Sequence, residues 1–333
     1  MRESLIGLGF GDPDSGRNLG FGAAGLGNLY RPMEDATAQA TLQAAYDSGA
    51  RYFDTAPHYG LGLSESRLGA WLGGDVVRED LVISSKVGRV LEPNAGFAGE
   101  LDGEGFAVPA TTRRRWDPSE EGIRASIEST LLRLGTDYLD IVFLHDPDAY
   151  DLEEGIARGL PVLEKLRAEG LIQAIGVGTN STDAAAECVR RADLDLVMLA
   201  GRYTLLEQPA AAELLPLCME RSVGIVNVGV YNSGLLAAPV VPANANYNYE
   251  PAPAHILDRA RALAAVAGEF GTDLPTAAVH FAMRHPSIVS VMLGASTPEQ
   301  ARVNAARAHA PVDEGLWDAL VRRGLLDGAL AIR

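Results

Sequence analysis

Short apolar runs alternate with amphipathic stretches along nearly the whole chain. Residues 19–27 read as a short strand running into a Gly-rich loop. Residues 51–55, 81–87, 138–145, 172–177, 194–199, 224–230 and 288–293 read as further buried strands, because each is a brief β-branched or apolar run closed by a turn signal. Between them, 33–49, 63–73, 119–134, 155–169, 182–192, 209–222, 254–270, 275–284 and 298–309 carry helical periodicity, and 314–326 adds a last helix. Ser64 is a candidate cap and Gly73 a candidate stop. Ser119 opens its helix in a capping-box-like setting, with glutamates at 120 and 121. Two long loops interrupt the pattern, 89–118 and 232–251. Residues 1–18, rich in Gly and Asp, read as an N-terminal extension that could close as a hairpin.

Consecutive strand–helix units with buried parallel strands predict an α/β fold. Eight of them closing on themselves predict a (β/α)8 TIM barrel, with a long loop after strand 3 and an extra C-terminal helix. No linker divides the chain, so residues 1–333 are expected to form one domain. The runner-up is an open doubly wound sheet. The glycines at 20–27 resemble a dinucleotide fingerprint only weakly, because no helix opens directly from them.

Composition narrows the function. The formal charge of −16 argues against a nucleic-acid or anionic membrane surface. No apolar run is long enough to span a bilayer. Asp12 and Asp14 in the first segment argue against a secretory leader. Cys188 and Cys218 have no metal-ligand or disulfide spacing, so a cytoplasmic setting and no metal site are expected. Of 28 basic residues only Lys86 and Lys165 are lysine, which marks a lysine as a position wanting an ammonium. Arg113–Arg115 reads as a solvated or salt-bridging face. The histidines at 58, 255, 280, 285 and 309 read as structural or rim groups.

In a barrel, chemistry collects at the C-terminal strand ends. Asp54 and Tyr59 after the second strand, Lys86 ending the third and His145 ending the fourth fall there together. An ammonium beside a phenol favours the phenolate, and a carboxylate keeps the ammonium charged. Tyr59 is thus expected to be an acid/base tuned toward working pH, with His145 holding a substrate oxygen.

At these residues the chain resembles the aldo-keto reductase superfamily. The motifs are Tyr52-Phe-Asp-Thr-Ala56 with Tyr59-Gly60, Ile83-Ser-Ser-Lys86 and Phe143-Leu-His145. Later ones are Gly176-Val-Gly-Thr-Asn180, Gly234-Leu-Leu236 and Gly294-Ala-Ser-Thr-Pro-Glu-Gln300 with Asn304. The resemblance runs from about residue 19 to 310. Residues 21–29 and 230–236 look most like the aldose 1-dehydrogenases of L-fucose and D-threo-aldose type, with pyridoxal 4-dehydrogenases close by.

The resemblance implies a catalytic tetrad of Asp54, Tyr59, Lys86 and His145. It implies NAD(P) across the barrel mouth, contacted by Gly22, Ala23, Ala24, Asn180, Ser233, Gly234, Leu235, Gly294, Ser296, Gln300 and Asn304. Ala200 and Val228 stand where the family often has a carboxamide partner and a stacking tyrosine. Gly294, Ser296 and Gln300 stand where a cation for a 2′-phosphate is usual, so NAD is expected over NADP. Tyr30 and Trp116 are expected as an aromatic substrate wall, with Arg202 and Tyr231 as weaker candidates.

The implied activity is oxidation of an aldose C1 hydroxyl to the lactone. Pyridoxal oxidation or general aldehyde reduction is the alternative, with a small-molecule partner and the oligomeric state open. A different class, a Schiff-base lyase using Lys86, is also compatible with the residues. A cofactor-binding regulatory subunit is the third reading, disfavoured by the complete tetrad.

Overall fold

The computed structural model of the chain describes residues 1–247 and 250–330; residues 248 and 249 of the expected 232–251 loop lie outside them. Eight parallel strands close a barrel: β1 (Leu19–Gly22), β2 (Tyr52–Asp54), β3 (Val82–Val87), β4 (Leu139–His145), β5 (Ile172–Thr179), β6 (Leu196–Ala200), β7 (Gly224–Val228) and β8 (Ile288–Gly294). Closure is made by β1 against β8, with Leu19 opposite Val291 and Gly22 opposite Gly294. The doubly wound alternative is therefore excluded.

Side chains alternate in direction along a strand, so each strand feeds two cores. Phe53, Ile83, Val142 and Leu144 face outward and join the large cluster under the helices. Tyr52, Val82, Ile141, Phe143, Ala174, Leu196 and Val226 face inward and fill the barrel. The same period carries the inward positions on to Asp54, Lys86 and His145 at the strand ends.

The N-terminal segment is not a hairpin. Glu3–Gly7 is a short helix, and Leu5, Leu8 and Phe10 insert into the inward-facing cluster. Phe10 meets Tyr52 edge-on at 5.5 Å. Ser4 donates to the buried Asp195 at 2.7 Å, which tethers the helix to the barrel floor. Apolar burial at an otherwise open barrel end favours this plug over a hairpin with a polar face.

The 89–118 segment is not all loop either. Arg89–Pro93 and Thr112–Trp116 pair antiparallel as a hairpin. Its tip folds back on the first barrel loop, where Leu29 bridges Phe106 and Tyr30 donates to the Gly105 carbonyl at 2.9 Å. Strand alternation also splits the arginine run. Arg113 and Arg115 point outward and share Glu92, whereas Arg114 points in and grips Asp102 through both terminal nitrogens at 2.6 and 2.8 Å.

Most helices match their expected positions. Ser119 does cap Glu120–Leu134, accepting from the Gly122 amide at 3.1 Å. Ser64 does not cap Leu63–Leu72. Gly62 takes that place, and the Ser64 hydroxyl turns inward to donate to the Ala23 carbonyl at 2.8 Å. Gly73 ends the helix as expected, and Gly315–Arg322 is the added C-terminal helix. Among the described residues, no helix is long and apolar enough to cross a membrane.

Candidate active site

Parallel register brings the strand-end residues together. Asp54 on β2 lies opposite Ser84 on β3, and Lys86 lies opposite Phe143, two residues short of His145 on β4. Lys86 Nζ donates to Asp54 Oδ2 at 2.5 Å and to the Thr55 carbonyl at 2.9 Å. Ser84 Oγ donates to the other Asp54 oxygen at 2.7 Å. A buried charge pair persists only when its remaining valences are filled, and here they are.

Tyr59 reaches this pair from the turn after β2. Its position depends on two glycines that let backbones touch. A Cβ on Gly27 would stand 2.6 Å from the Tyr59 carbonyl carbon. A Cβ on Gly60, whose φ is +65°, would stand 2.2 Å from the Gly27 carbonyl oxygen. Lys86 Nζ lies 4.7 Å from the Tyr59 ring centroid, close enough for its charge to act on the phenol. The His145 ring is 6.0 Å from the Tyr59 ring and near perpendicular to it. The four expected residues thus form one cluster.

The electrostatics differ in one respect from the expectation. Burial raises the Tyr59 phenol above its ordinary value, and Lys86 offsets this only in part. Burial by itself disfavours the Lys86 ammonium, yet Asp54 and Tyr59 outweigh it and hold the amine above its usual pKa. Burial likewise raises the Asp54 carboxyl against the pull of Lys86. Lys86 is an engaged ammonium, whereas a Schiff-base nucleophile needs a free amine of lowered pKa. The lyase reading does not fit this geometry.

A second group of charges braces the histidines. Arg89 Nη1 donates to His58 Nδ1 at 3.0 Å and its Nη2 to Asp146 Oδ2 at 2.5 Å. Arg114 donates to the His58 carbonyl at 2.8 Å. His58 packs 5.4 Å from His145, and Phe106 covers both His58 and Tyr59. Because Arg89 can only donate, the His58 proton is assigned to Nε2. His145 Nδ1 is buried without a partner among the described residues, while Nε2 faces Asp146 Oδ2 at 3.5 Å. That places the His145 proton on Nε2.

Burial, then the surrounding guanidinium and ammonium groups, lower His58 to about 2 and His145 well below its usual range. Both rings are neutral in the folded protein, whereas the unfolded chain takes up protons near pH 6.5. Their contribution is therefore fully present above about pH 6.5 and is lost as pH falls toward the folded values. For His58 alone, the loss between pH 7 and pH 5 is expected on the order of 1–2 kcal/mol. Denaturant midpoints at the two pH values read this, and unchanged stability would contradict it.

Beside the cluster, at the ends of β1, β7 and β8, opens a cleft of about 610 Å³. It reaches the tetrad through β1, since the cleft-lining Gly22 is paired with Asp54. Of the residues expected to meet cofactor, Gly22, Ala24, Ser233, Gly234, Gly294, Ser296, Gln300 and Asn304 line it, and so does Tyr30, expected to meet substrate. A Cβ on Gly22 or Gly234 would meet nothing within 4 Å, so both leave the cleft open to a ligand. The volume suits a cofactor-sized ligand.

Other expectations are placed elsewhere. The Ala23 and Leu235 side chains are wholly buried in the outer core, leaving only backbone to face a ligand. Asn180 is exposed just past β5, its carbonyl accepting from Arg202 Nε at 2.6 Å. Trp116 does not share the cleft with Tyr30. It stacks on Tyr150 at 5.0 Å and donates to Glu154 at 3.0 Å, above Gly88. Tyr231 lines the cleft and bonds Asn304 at 3.1 Å, whereas Val228 packs toward the barrel interior.

Glu299, Val303 and Arg307 line the cleft without having been expected. The signal was present: 300, 303, 304 and 307 follow the i, i+3, i+4, i+7 spacing of one helix face. Arg89, Asp146 and Phe106 beside the tetrad left no local signal.

Comparison with known proteins agrees with this geometry. The aldo/keto reductase family matches residues 18–321, and the chain belongs to that family. It is accordingly an NAD(P)-dependent oxidoreductase. It is 47% identical to the D-threo-aldose 1-dehydrogenase of Pseudomonas sp, covering 92% of this chain and 94% of that one. It is 36% identical to the pyridoxal 4-dehydrogenase of Microbacterium luteolum over the same shares. Its fold matches the holo form of an aldo-keto reductase from Bacillus halodurans, with a TM-score of 0.71 and 24% identity over 95% of this chain and 93% of that one.

Proposed function

We propose that this protein is an aldose 1-dehydrogenase that oxidises the C1 hydroxyl of a free sugar to the lactone with NAD. The observation that carries the reading is the Lys86 ammonium, fixed by Asp54 at 2.5 Å and held 4.7 Å from the centre of the Tyr59 ring, beside a cleft of cofactor size. The likeness to a D-threo-aldose 1-dehydrogenase supports the choice of substrate class.

In this reading Tyr59, as phenolate, takes the C1 hydroxyl proton. Lys86 stabilises that phenolate, and Asp54 with the Thr55 carbonyl keeps the ammonium aimed at it. His145 donates from Nε2 to the reacting oxygen and stays neutral throughout. A bound nicotinamide would supply the hydride acceptor. The Ser233–Leu235 backbone and Gly22–Ala24 would hold its phosphates, Asn180 its carboxamide, and Ser296, Gln300 and Asn304 its adenine end.

NAD is preferred over NADP on charge. Gly294, Ser296 and Gln300 offer no cation. Arg307 faces the same cleft but has Asp273 at 3.9 Å, and the cleft also carries the Glu299 carboxylate, which lies 3.6 Å from Arg302. A 2′-phosphate dianion gains little from such a balance. Turnover is expected to favour NAD by about tenfold or more in kcat/KM, about 1.4 kcal/mol. Comparable rates with NADP would contradict the preference.

The likeness to a pyridoxal 4-dehydrogenase favours pyridoxal as the second reading. A panel of free aldoses and pyridoxal, followed at the reduced-nicotinamide absorbance with each cofactor, separates the two. Turnover of pyridoxal with no aldose would replace the first reading by the second.

A further inference from the structure

Asp146 follows His145 directly, and its backbone is forced into the left-handed region with φ of 41°. Such a conformation is costly for a residue with a side chain and persists where the surroundings impose it. Here the Asp146 amide is tied across to the Gly178 carbonyl at 2.7 Å. The turn aims the carboxylate back at the tetrad. Oδ2 accepts from Arg89 at 2.5 Å and lies 3.5 Å from His145 Nε2, the atom that holds the reacting oxygen.

The other carboxylate oxygen, Oδ1, accepts no hydrogen bond from any described residue. The side chain is 30% exposed, while its neighbours Arg89 and His145 are 8% and 7% exposed. Asp146 is therefore the solvent-accessible member of this group. Arg89 cannot leave, since it is buried and also holds His58. The charge of Asp146 is thus fixed beside the reaction centre, with one oxygen left for something that donates.

We propose that Asp146 is the residue that selects a polyhydroxylated substrate, accepting a hydrogen bond from the hydroxyl on the carbon next to the one oxidised. This rests on the dehydrogenase reading above. When C1–OH lies on His145 Nε2, the neighbouring hydroxyl of a sugar stands about one hydrogen-bond length from it, within reach of a carboxylate whose Arg89-bound oxygen lies 3.5 Å from that nitrogen. A hydroxyl donates and a ring oxygen cannot, so the carbon-2 hydroxyl is the group that fits. An aldehyde without hydroxyls leaves the oxygen unfilled, and the substrate class is set by that difference.

The test compares an aldose with its 2-deoxy form in the full-length protein. The wild type is expected to lose roughly 10- to 100-fold in kcat/KM on removal of that hydroxyl, the range of a charge-assisted hydrogen bond. In Asp146→Asn and Asp146→Gly, which both tolerate a left-handed backbone, the penalty is expected to fall below about threefold. Taking the ratio within each variant cancels any general loss of activity that a purely structural role would cause. An unchanged penalty in both variants, or equal use of the two sugars by the wild type, overturns the proposal. Reduction of a hydroxyl-free aldehyde with no turnover of any aldose overturns the functional reading itself, a distinguishable result.

Discussion

Tyr59→Phe is expected to abolish aldose oxidation while leaving cofactor affinity nearly unchanged. The ring of Tyr59 packs against His58, Phe106 and His145, and phenylalanine keeps all three contacts. Only the hydroxyl is lost, and with it the proton acceptor. General acid–base groups contribute about 10²–10⁴-fold, and with Tyr59 the phenol held beside the Lys86 ammonium the upper part of that range is expected. Cofactor titration by fluorescence and turnover under saturating sugar separate the two effects. Retained turnover would remove Tyr59 from the role given to it here.

Lys86→Met is expected to be nearly as damaging, for a different reason. Burial already raises the Tyr59 phenol, and Lys86 is the first of the influences that oppose it. Removing the ammonium takes away that opposition, so the pH at which Tyr59 becomes a base moves further up. Oxidation by the wild type is expected to climb with pH into the alkaline range. The variant's ascending limb should lie at still higher pH, with a loss at neutral pH of about 10²-fold or more.

The substitution also leaves Asp54 buried without its cation, which costs about 3–5 kcal/mol when one member of a buried pair is removed. Lys86→Met combined with Asp54→Asn restores a neutral interior. It should recover stability but not the alkaline limb. Full neutral-pH activity in either variant would show that the amine does not tune the phenol.

The parts of the fold and site that the sequence made legible are those governed by short-range periodicity. Alternation along Tyr52–Asp54, Val82–Val87 and Leu139–His145 carries buried side chains to Asp54, Lys86 and His145 in successive strands. What was misread depended on partners distant in the chain. The first segment was expected as a possible hairpin because its glycines suggest turns, yet Leu5, Leu8 and Phe10 are drawn into the barrel floor. The 89–118 segment reads as a loop in the sequence because an arginine run does not resemble a strand. Pairing with Arg89–Pro93 makes it one, and only that pairing separates the inward Arg114 from its exposed neighbours.

The site shows the same division. The tetrad was visible as a set of strand ends, but Arg89 and Asp146, 57 residues apart, become partners only in the folded barrel. Arg307 was within reach of a helix-face count from Gln300 and was overlooked because the reading stopped at Asn304. It matters because it puts a cation in a cleft otherwise read as lacking one, so the cofactor preference rests on Asp273 and Glu299 as much as on the residues at 294, 296 and 300.

An aldose carrying deuterium at C1, incubated with the protein and NAD, tests hydride transfer beside the Tyr59–Lys86 pair more directly than any substitution. The label is expected in the reduced cofactor, with the sugar recovered as its lactone. Deuterium released to solvent, or lactone formed with no reduced cofactor, would contradict the account.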